Sequence, residues 1–157
     1  MRNKIDGVLE KVLLIVVGIM LVSVIWQVVS RYLLGSPSTL TDEIASFSLI
    51  WLGLYGAAYA TGKHLHLSID VISAATVKKY PQLFMGIVTL AVVVFALAVM
   101  VIGGINLCWV TFELQQQSAA LKIPLFWIYS AVPFSGALIV YYSLHTFLQG
   151  FKNQKRA

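Results

Sequence analysis

The sequence has a single cysteine and few charged residues. Cys108 is the only cysteine among 157 residues, so no disulfide can form within the chain. Charged residues make up 11% of the chain, whereas a soluble domain carries roughly a quarter. Apolar and aromatic residues make up 59%, more than a soluble fold of this size can bury. The composition therefore indicates an integral membrane protein.

Acidic residues are absent from the middle of every long apolar stretch. All six acids lie at or near the ends of these stretches, namely Asp6, Glu10, Asp42, Glu43, Asp70 and Glu113. Charged groups at membrane depth mark ion pathways and proton relays, because burying a charge there is costly. Their absence argues against a proton relay or an ion-coupled substrate site built from this chain alone.

Arrangements for catalysis or cofactor binding are also lacking. Nucleophile triads, paired catalytic carboxylates and phosphate-cradling glycine loops are absent, so we expect neither an enzyme nor a cofactor. His64 and His66 with Asp70 lack a clear further ligand, which favours a polar turn over a metal site. A bis-histidine haem site needs histidines on separate helices, and only His145 lies within a span.

Four apolar stretches reach the length of about 20 residues that a spanning helix needs. The spans are predicted at approximately residues 12–34, 43–62, 82–113 and 124–148. The sequence thus predicts an all-α membrane protein with one membrane domain over residues 1–157. The third helix would be roughly 48 Å long, against about 30 Å of hydrocarbon, so we expect long, tilted helices. The first span lacks a small-residue cleavage site, so we expect it to stay in place.

The basic residues predict the orientation. Nine lie on the side of the N-terminus, namely Arg2, Lys4, Lys11, Lys63, Lys78, Lys79, Lys152, Lys155 and Arg156, and two on the other, Arg31 and Lys122. Because lysine and arginine favour the cytoplasmic side, both termini are predicted to be inside. The net charge of +5 reflects this bias, so phospholipid headgroups rather than nucleic acid are the expected partner. Residues 63–81 are predicted to form a short segment on the inner surface.

The outer face holds the candidate site residues. Arg31 ends the first helix and Asp42 and Glu43 open the second, so a salt bridge across the short loop is geometrically reasonable. Two interpretations stay open, a structural tether and a contact used by a partner. The same two roles apply to the polar residues of the outer loop before Pro124, which are Glu113, Gln117 and Lys122.

The second helix has two contrasting faces. Small residues recur on one face, namely Ser46, Gly53, Gly56, Ala57 and Ala60, and Gly103 and Gly104 lie in the third helix. Small residues allow close helix packing in lipid, so they are predicted to pack inside the bundle. Trp51, Tyr55 and Tyr59 form a ridge on the other side, which is predicted to meet lipid or another protein. Pro133 is predicted to kink the fourth helix.

Several short motifs resemble one transporter family. They are Ser30-Arg31-Tyr32, Asp42-Glu43, Trp51-Leu52-Gly53, Gly56-Ala57-Ala58, His66, Ile69-Asp70, Gln117 through Pro124, Trp127-Ile128-Tyr129 and Ala131-Val132-Pro133. In this order and spacing they resemble the small, Q-type (DctQ-like) membrane subunit of tripartite ATP-independent periplasmic (TRAP) transporters. The chain has Ala119 where proline is common in that family.

The resemblance implies a supporting role. In such transporters a large membrane subunit holds the substrate and sodium sites and moves like an elevator, while a periplasmic binding protein delivers an organic acid. The small subunit would brace the large one in the bacterial inner membrane and help dock the binding protein. Sialic acid is the favoured substrate among carboxylates. The resemblance places bound sodium in the large subunit, not in this chain.

Two other classes of protein stay open. A self-sufficient small exporter working as a dimer typically needs a membrane-embedded acid, and the first helix has none between Lys11 and Arg31. A membrane enzyme or electron-transfer subunit is disfavoured by the lone Cys108 and the lone in-span His145.

Overall fold

The computed structural model describes residues 2–63 and 81–154, with side chains described for residues 5–63 and 86–148. The helices are α1 (Arg2–Tyr32), α2 (Thr39–Gly62), α3 (Pro81–Phe95), α4 (Gly104–Glu113), α5 (Leu125–Tyr129) and α6 (Ala131–Gln154). A π-helical segment, Ala96–Gly103, joins α3 to α4. Within the described ranges the only strand-like pairing is a bridge between Gln117 and Pro124, so the all-α prediction is confirmed.

Four helical stretches are long and apolar enough to cross a membrane. They are Ile5–Tyr32, Thr39–Gly62, Gly86–Glu113 and Leu125–Leu148. The predicted number of spans is therefore confirmed. The helix α1 begins well before the predicted residue 12, because charged residues are tolerated in a helix where it leaves the hydrocarbon. The predicted surface segment, with His64, His66 and Asp70, lies outside the described residues.

The bundle has two ends, which we name by their connections. The loop end carries residues 33–38 and 114–124, and the terminal end carries the start of α1 and the end of α6. Helix α1 packs on α2, α2 packs on α6, and α6 packs on α3 and the π-helical segment. This arrangement places both connecting loops together at one end, as a bundle of alternating direction requires.

The π-helical segment lies where α6 packs most closely. A Cβ atom built on Gly136 of α6 would lie 2.6 Å from the Cβ of Met100 and 3.3 Å from the carbonyl oxygen of Ala96. One turn further along, a Cβ on Gly104 would lie 2.9 Å from the Cδ of Pro133. The third span and α6 can therefore approach this closely only with glycine at both positions.

Replacing Gly136 by alanine is expected to destabilise the chain by about 1–3 kcal/mol, the usual cost of overpacking a core. Thermal unfolding of the purified protein in detergent measures the effect. Gly53→Ala is the matched control, because a Cβ there meets nothing within 4 Å and alanine favours a helix. Equal melting temperatures for the two variants would contradict the close packing at Gly136.

The two faces of α2 have different surroundings within the chain. The indole N–H of Trp51 donates to the carbonyl oxygen of Ile128 at 3.2 Å, so this part of the aromatic ridge faces the bundle. Tyr55 stacks on Trp51 with ring centroids 5.6 Å apart. Gly53 and Gly56, predicted to pack inside, have open space around them. An indole N–H at membrane depth needs an acceptor, and this requirement favours turning the ridge inward.

The remaining members of the two faces are distributed as follows. The ring of Tyr59 lies under the Nζ of Lys63, 5.4 Å from its centroid. Ala57 lines a groove between α2, α3 and α6, Ser46 is exposed and Ala60 is half-buried. Gly103 has only the carbonyl oxygen of Ala98 nearby, at 3.8 Å.

The fourth span continues through Ser130, whose φ of −57° and ψ of −24° are helical. Helix α5 ends at Tyr129 and α6 begins at Ala131, so Pro133 lies in the first turn of α6. Proline has no N–H to bond the carbonyl four residues back and clashes with it, and that carbonyl belongs to Tyr129. The lost hydrogen bond thus falls at the carbonyl of Tyr129, and the kink at Pro133 stays a prediction.

Three helices meet at the terminal end around one tyrosine. Tyr142 of α6 is 1% exposed, and its hydroxyl donates to Asp6 Oδ1 of α1 at 2.5 Å. Its ring lies 3.0 Å from the position that a Cβ on Gly62 of α2 would occupy. Tyr142 thus joins the start of α1, the end of α2 and the middle of α6.

Candidate docking surface at the loop end

Glu43 connects the start of α2 to the second loop. Its carboxylate accepts hydrogen bonds from the hydroxyl of Ser118, from the N–H of Ala120 at 2.9 Å and from the N–H of Leu121 at 3.0 Å. Ser118 is buried, with 4% of its surface exposed. Hydrogen bonds to an ionised acceptor are stronger than neutral ones. Glu43 therefore holds residues 118–121 against the first turn of α2.

The second loop also has internal order. The N–H of Ser118 donates to the carbonyl of Ile123 at 2.9 Å, and the N–H of Leu125 donates to the carbonyl of Gln116 at 3.0 Å. Gln115 and Lys122 adopt left-handed backbone conformations, with φ of 50° and 57°. Side chains other than glycine rarely adopt this conformation, so the surrounding contacts must hold it. Residues 114–124 form a structured hairpin rather than a slack connection.

The first loop is fixed by Asp42 and Ser38. The side-chain amide of Gln27 donates to Asp42 Oδ1 at 2.7 Å, which joins the end of α1 to the start of α2. Ser38 is the N-cap of α2, and its hydroxyl accepts from the N–H of Thr41. Arg31 lines a small cavity of 220 Å³ beside Gln27 and Asp42.

These contacts correct one expectation about Asp42 and Glu43. A salt bridge from Arg31 to Asp42 or Glu43 is reasonable on sequence grounds. Among the described residues, however, Asp42 bonds to Gln27 and Glu43 bonds to the second loop. Arg31 is exposed, and an exposed ion pair contributes little to stability, so neutral donors satisfy both carboxylates instead.

Three predicted residues are displayed on the surface of this end. Glu113 ends α4, and Gln117 and Lys122 lie in the hairpin, all with exposed side chains. Glu43 and Ser118 are underneath and are half-buried and buried. The structure therefore separates residues that hold the loop from residues that a partner can touch.

Sequence reasoning missed several of the connecting residues. Ser118 lies in a motif that carries the family resemblance, but its pairing with Glu43, 75 residues away, leaves no local signal. Gln27 is a polar residue near the end of an apolar helix, a pattern that indicates a need for a partner. Asp6 and Tyr142 give no such signal, because each is ordinary at its position.

Metal-binding potential is limited in the part of the chain that the structure describes. Residues 2–63 and 81–154 contain no group of three His, Cys, Asp or Glu side chains placed to hold a metal ion.

The fold and the loop end together define a small, all-helical, multi-pass membrane protein with one structured polar face. The family model described as the DctQ component of tripartite ATP-independent periplasmic transporters matches residues 20–153. The chain therefore belongs to this family, and the resemblance inferred from its motifs is confirmed.

Two relatives agree with this assignment. The chain is 24% identical over 149 residues to a sialic acid TRAP transporter small permease protein, SiaQ, of Vibrio cholerae, covering 92% of this chain and 82% of the relative. It is 32% identical over 68 residues to a candidate TRAP transporter small permease protein of Haemophilus influenzae, covering 43% of this chain and 42% of that protein. The second match thus spans less than half the length of the relative.

Proposed function

We propose that this chain is the non-catalytic small membrane subunit of a sodium-coupled uptake system for an organic acid. It braces a large membrane subunit, which carries the substrate and sodium sites, and it helps dock a periplasmic substrate-binding protein. Family membership supports the role. The absence of acids from the middle of the spans supports placing transport in the partner. The expected location is the bacterial inner membrane.

The structured hairpin at the loop end is the observation that carries the docking role. A loop held by a carboxylate and by its own backbone hydrogen bonds loses little freedom when a partner binds, and this lowers the cost of association. Glu113, Gln117 and Lys122 present charged and amide groups on that rigid base. The positive-inside count supports a periplasmic location for this face, where the binding protein must be.

The open face of α2 is our candidate for the contact with the large subunit. Gly53 and Gly56 have no atoms within 4 Å of a built Cβ, so this face is not used within the chain. Small residues allow another helix to approach closely in lipid. We infer that the large subunit packs against this face.

Gly56→Leu is expected to lower the yield of the complex with the large subunit about tenfold, because a leucine blocks close approach at an interface of small residues. The stability of the isolated chain is expected to be unchanged, since the position is open. Co-purification on a tag of the large subunit measures the yield. Gly18→Leu is the matched control, a glycine of α1 that is equally open. An equal loss for both variants would argue against this face.

Uptake assays test the function itself. The expected result is uptake only when this chain, the large subunit and the binding protein are present together. Uptake by this chain alone in vesicles would overturn the proposal. Sialic acid is the favoured substrate because one relative is named for it, and competition between labelled sialic acid and a C4-dicarboxylate in the complete system decides between these substrates.

A further inference from the structure

Three consecutive large apolar side chains are exposed at the loop end, where α1 finishes. Tyr32 and Leu33 are each 78% exposed, and Leu34 is 61% exposed. Their backbone is ordered, because the N–H groups of Leu33 and Leu34 both donate to the carbonyl of Val29, at 2.9 and 3.4 Å. We call these three residues the first-loop patch. Contiguous apolar side chains that face water mark an interaction site, so the height of the patch relative to the membrane decides its role.

One hydrogen bond indicates the height of this patch. The side-chain amide of Gln27 donates to Asp42 Oδ1, so Gln27 of α1 is level with the Asp42 carboxylate at the start of α2. An aspartate is costly to bury in hydrocarbon, so the hydrocarbon ends at this level or deeper. Tyr32 lies about 7.5 Å further along α1, at 1.5 Å per residue. The headgroup region on one side of a bilayer is about 5–7.5 Å thick, so the patch lies at or beyond its outer edge.

The first turn of α2 connects the patch to the hairpin. Asp42 accepts from Gln27 of α1, and the next residue, Glu43, accepts from the hydroxyl of Ser118 and from two N–H groups of the hairpin. Two neighbouring residues of one helical turn thus fix the end of α1 on one side and the hairpin on the other. The patch and the hairpin are therefore held in a fixed relation to each other.

We propose that the first-loop patch is the apolar half of the docking surface for a soluble periplasmic binding protein, with the hairpin as its polar half. This inference rests on the proposed function. The height of the patch disfavours lipid as the occupant. The large subunit is disfavoured too, because its proposed contact at Gly53 lies about 16 Å deeper along α2 than Asp42. Exposed Arg31 adjoins the patch, and tyrosine and arginine are enriched where proteins bind each other.

Spin labels in the assembled transporter test both the height and the contact. Each label is attached to one new cysteine in a Cys108→Ser chain, with Leu33→Cys in the patch, Gln117→Cys in the hairpin and Ile19→Cys within the span of α1. Collisions with oxygen and with a water-soluble nickel complex are measured in proteoliposomes that contain the large subunit. We expect nickel collisions at position 33 to match those at 117 and to exceed those at 19 about fivefold, because hydrocarbon excludes the complex. Adding the binding protein should lower them about threefold at 33 and 117, since a docked interface excludes solvent, and leave position 19 unchanged.

The pattern across the three labels separates this inference from the proposed function. Oxygen collisions at position 33 equal to those at 19 would place the patch in lipid and overturn the inference. Low nickel and oxygen collisions at 33 before the binding protein is added would show that another membrane subunit covers the patch, which also overturns it. Protection at 117 alone would overturn the role of the patch and leave the docking role of the hairpin standing. Protection at neither position would overturn both.

A serine variant tests how much the patch contributes to binding. Leu33→Ser is expected to raise about tenfold the concentration of binding protein needed for half-maximal uptake, because one buried leucine is lost from the contact. The yield of the membrane complex and the maximal rate should be unchanged, since the side chain is exposed within this chain. Leu148→Ser is the matched control, the same change at a 67% exposed leucine of the terminal end. No increase for Leu33→Ser, or an equal increase for Leu148→Ser, would overturn the inference.

Discussion

Replacing Glu43 by glutamine is expected to raise about tenfold the concentration of binding protein needed for half-maximal uptake. The carboxylate accepts from three donors in the hairpin. A glutamine amide has one acceptor oxygen and directs an NH₂ group at a donor, so the loop must shift. Initial rates in proteoliposomes with both membrane subunits, at varied concentrations of binding protein, measure the effect.

A second acid at the same end is the matched control. It distinguishes an effect on the position of the loop from an effect on the charge of the surface. Glu113→Gln makes the same chemical change at an exposed residue of the same end. If Glu43 acts by positioning the hairpin, its variant should be the more impaired. Ser118→Ala should act in the same direction but more weakly, because it removes one of the three donors to Glu43. The double variant should be no worse than Glu43→Gln, since the two residues share that hydrogen bond.

Trypsin provides a readout that does not depend on transport. Lys122 lies in the hairpin with an exposed side chain, and release of the loop should speed cleavage there. Faster cleavage without impaired uptake would show that Glu43 positions the hairpin but that the hairpin does not take part in docking. Unchanged cleavage and unchanged uptake would contradict both. A fall in complex yield would instead assign Glu43 to holding the subunits together.

The four spans could be predicted because lipid imposes a simple rule. A spanning helix must be apolar over about 20 residues, and four stretches satisfy this. The π-helical segment could not be predicted, since Ala96–Gly103 is uniformly apolar and its geometry depends on how α6 packs against it. Gly136 shows the same limit of sequence reasoning. A glycine is required there only because Met100 packs against it in the folded chain.

The faces of α2 show what a general tendency leaves open. The association of small residues with close packing is sound in lipid, but it does not say which neighbour is packed. Trp51 faces inward because the carbonyl of Ile128 accepts its N–H. With the aromatic ridge inside, Gly53 and Gly56 are left for a neighbour outside the chain.

The polar residues of the loop end could be named from the sequence, but their hydrogen-bond pairings could not. The sequence predicts that Asp42 and Glu43 lie at the start of α2, and opposite charge makes Arg31 the obvious partner. The structure gives each acid a neutral donor instead. For Glu43 the hydrogen-bond donors are set by the fold of residues 114–124, and this fold cannot be inferred from the sequence around the acid.

Truncating Tyr142 to alanine is expected to destabilise the chain by about 3–5 kcal/mol, the cost of removing a buried aromatic side chain. The ring is 1% exposed and packs on Gly62, and its hydroxyl donates to Asp6. Tyr142→Phe keeps the ring and loses the hydrogen bond, for about 1 kcal/mol. Thermal unfolding of the purified protein in detergent measures both variants.

The neighbouring tyrosine is the matched control. Tyr141 is 37% exposed, so Tyr141→Ala should cost much less than Tyr142→Ala if burial at the terminal end decides the effect. Equal losses would show that the junction of α1, α2 and α6 does not depend on this ring. Gly62→Ala approaches the same contact from the opposite side, because the added Cβ would press on the ring at 3.0 Å. If Gly62→Ala destabilises the wild-type chain but not Tyr142→Ala, the two residues act through one contact, since removing the ring makes room for the methyl group.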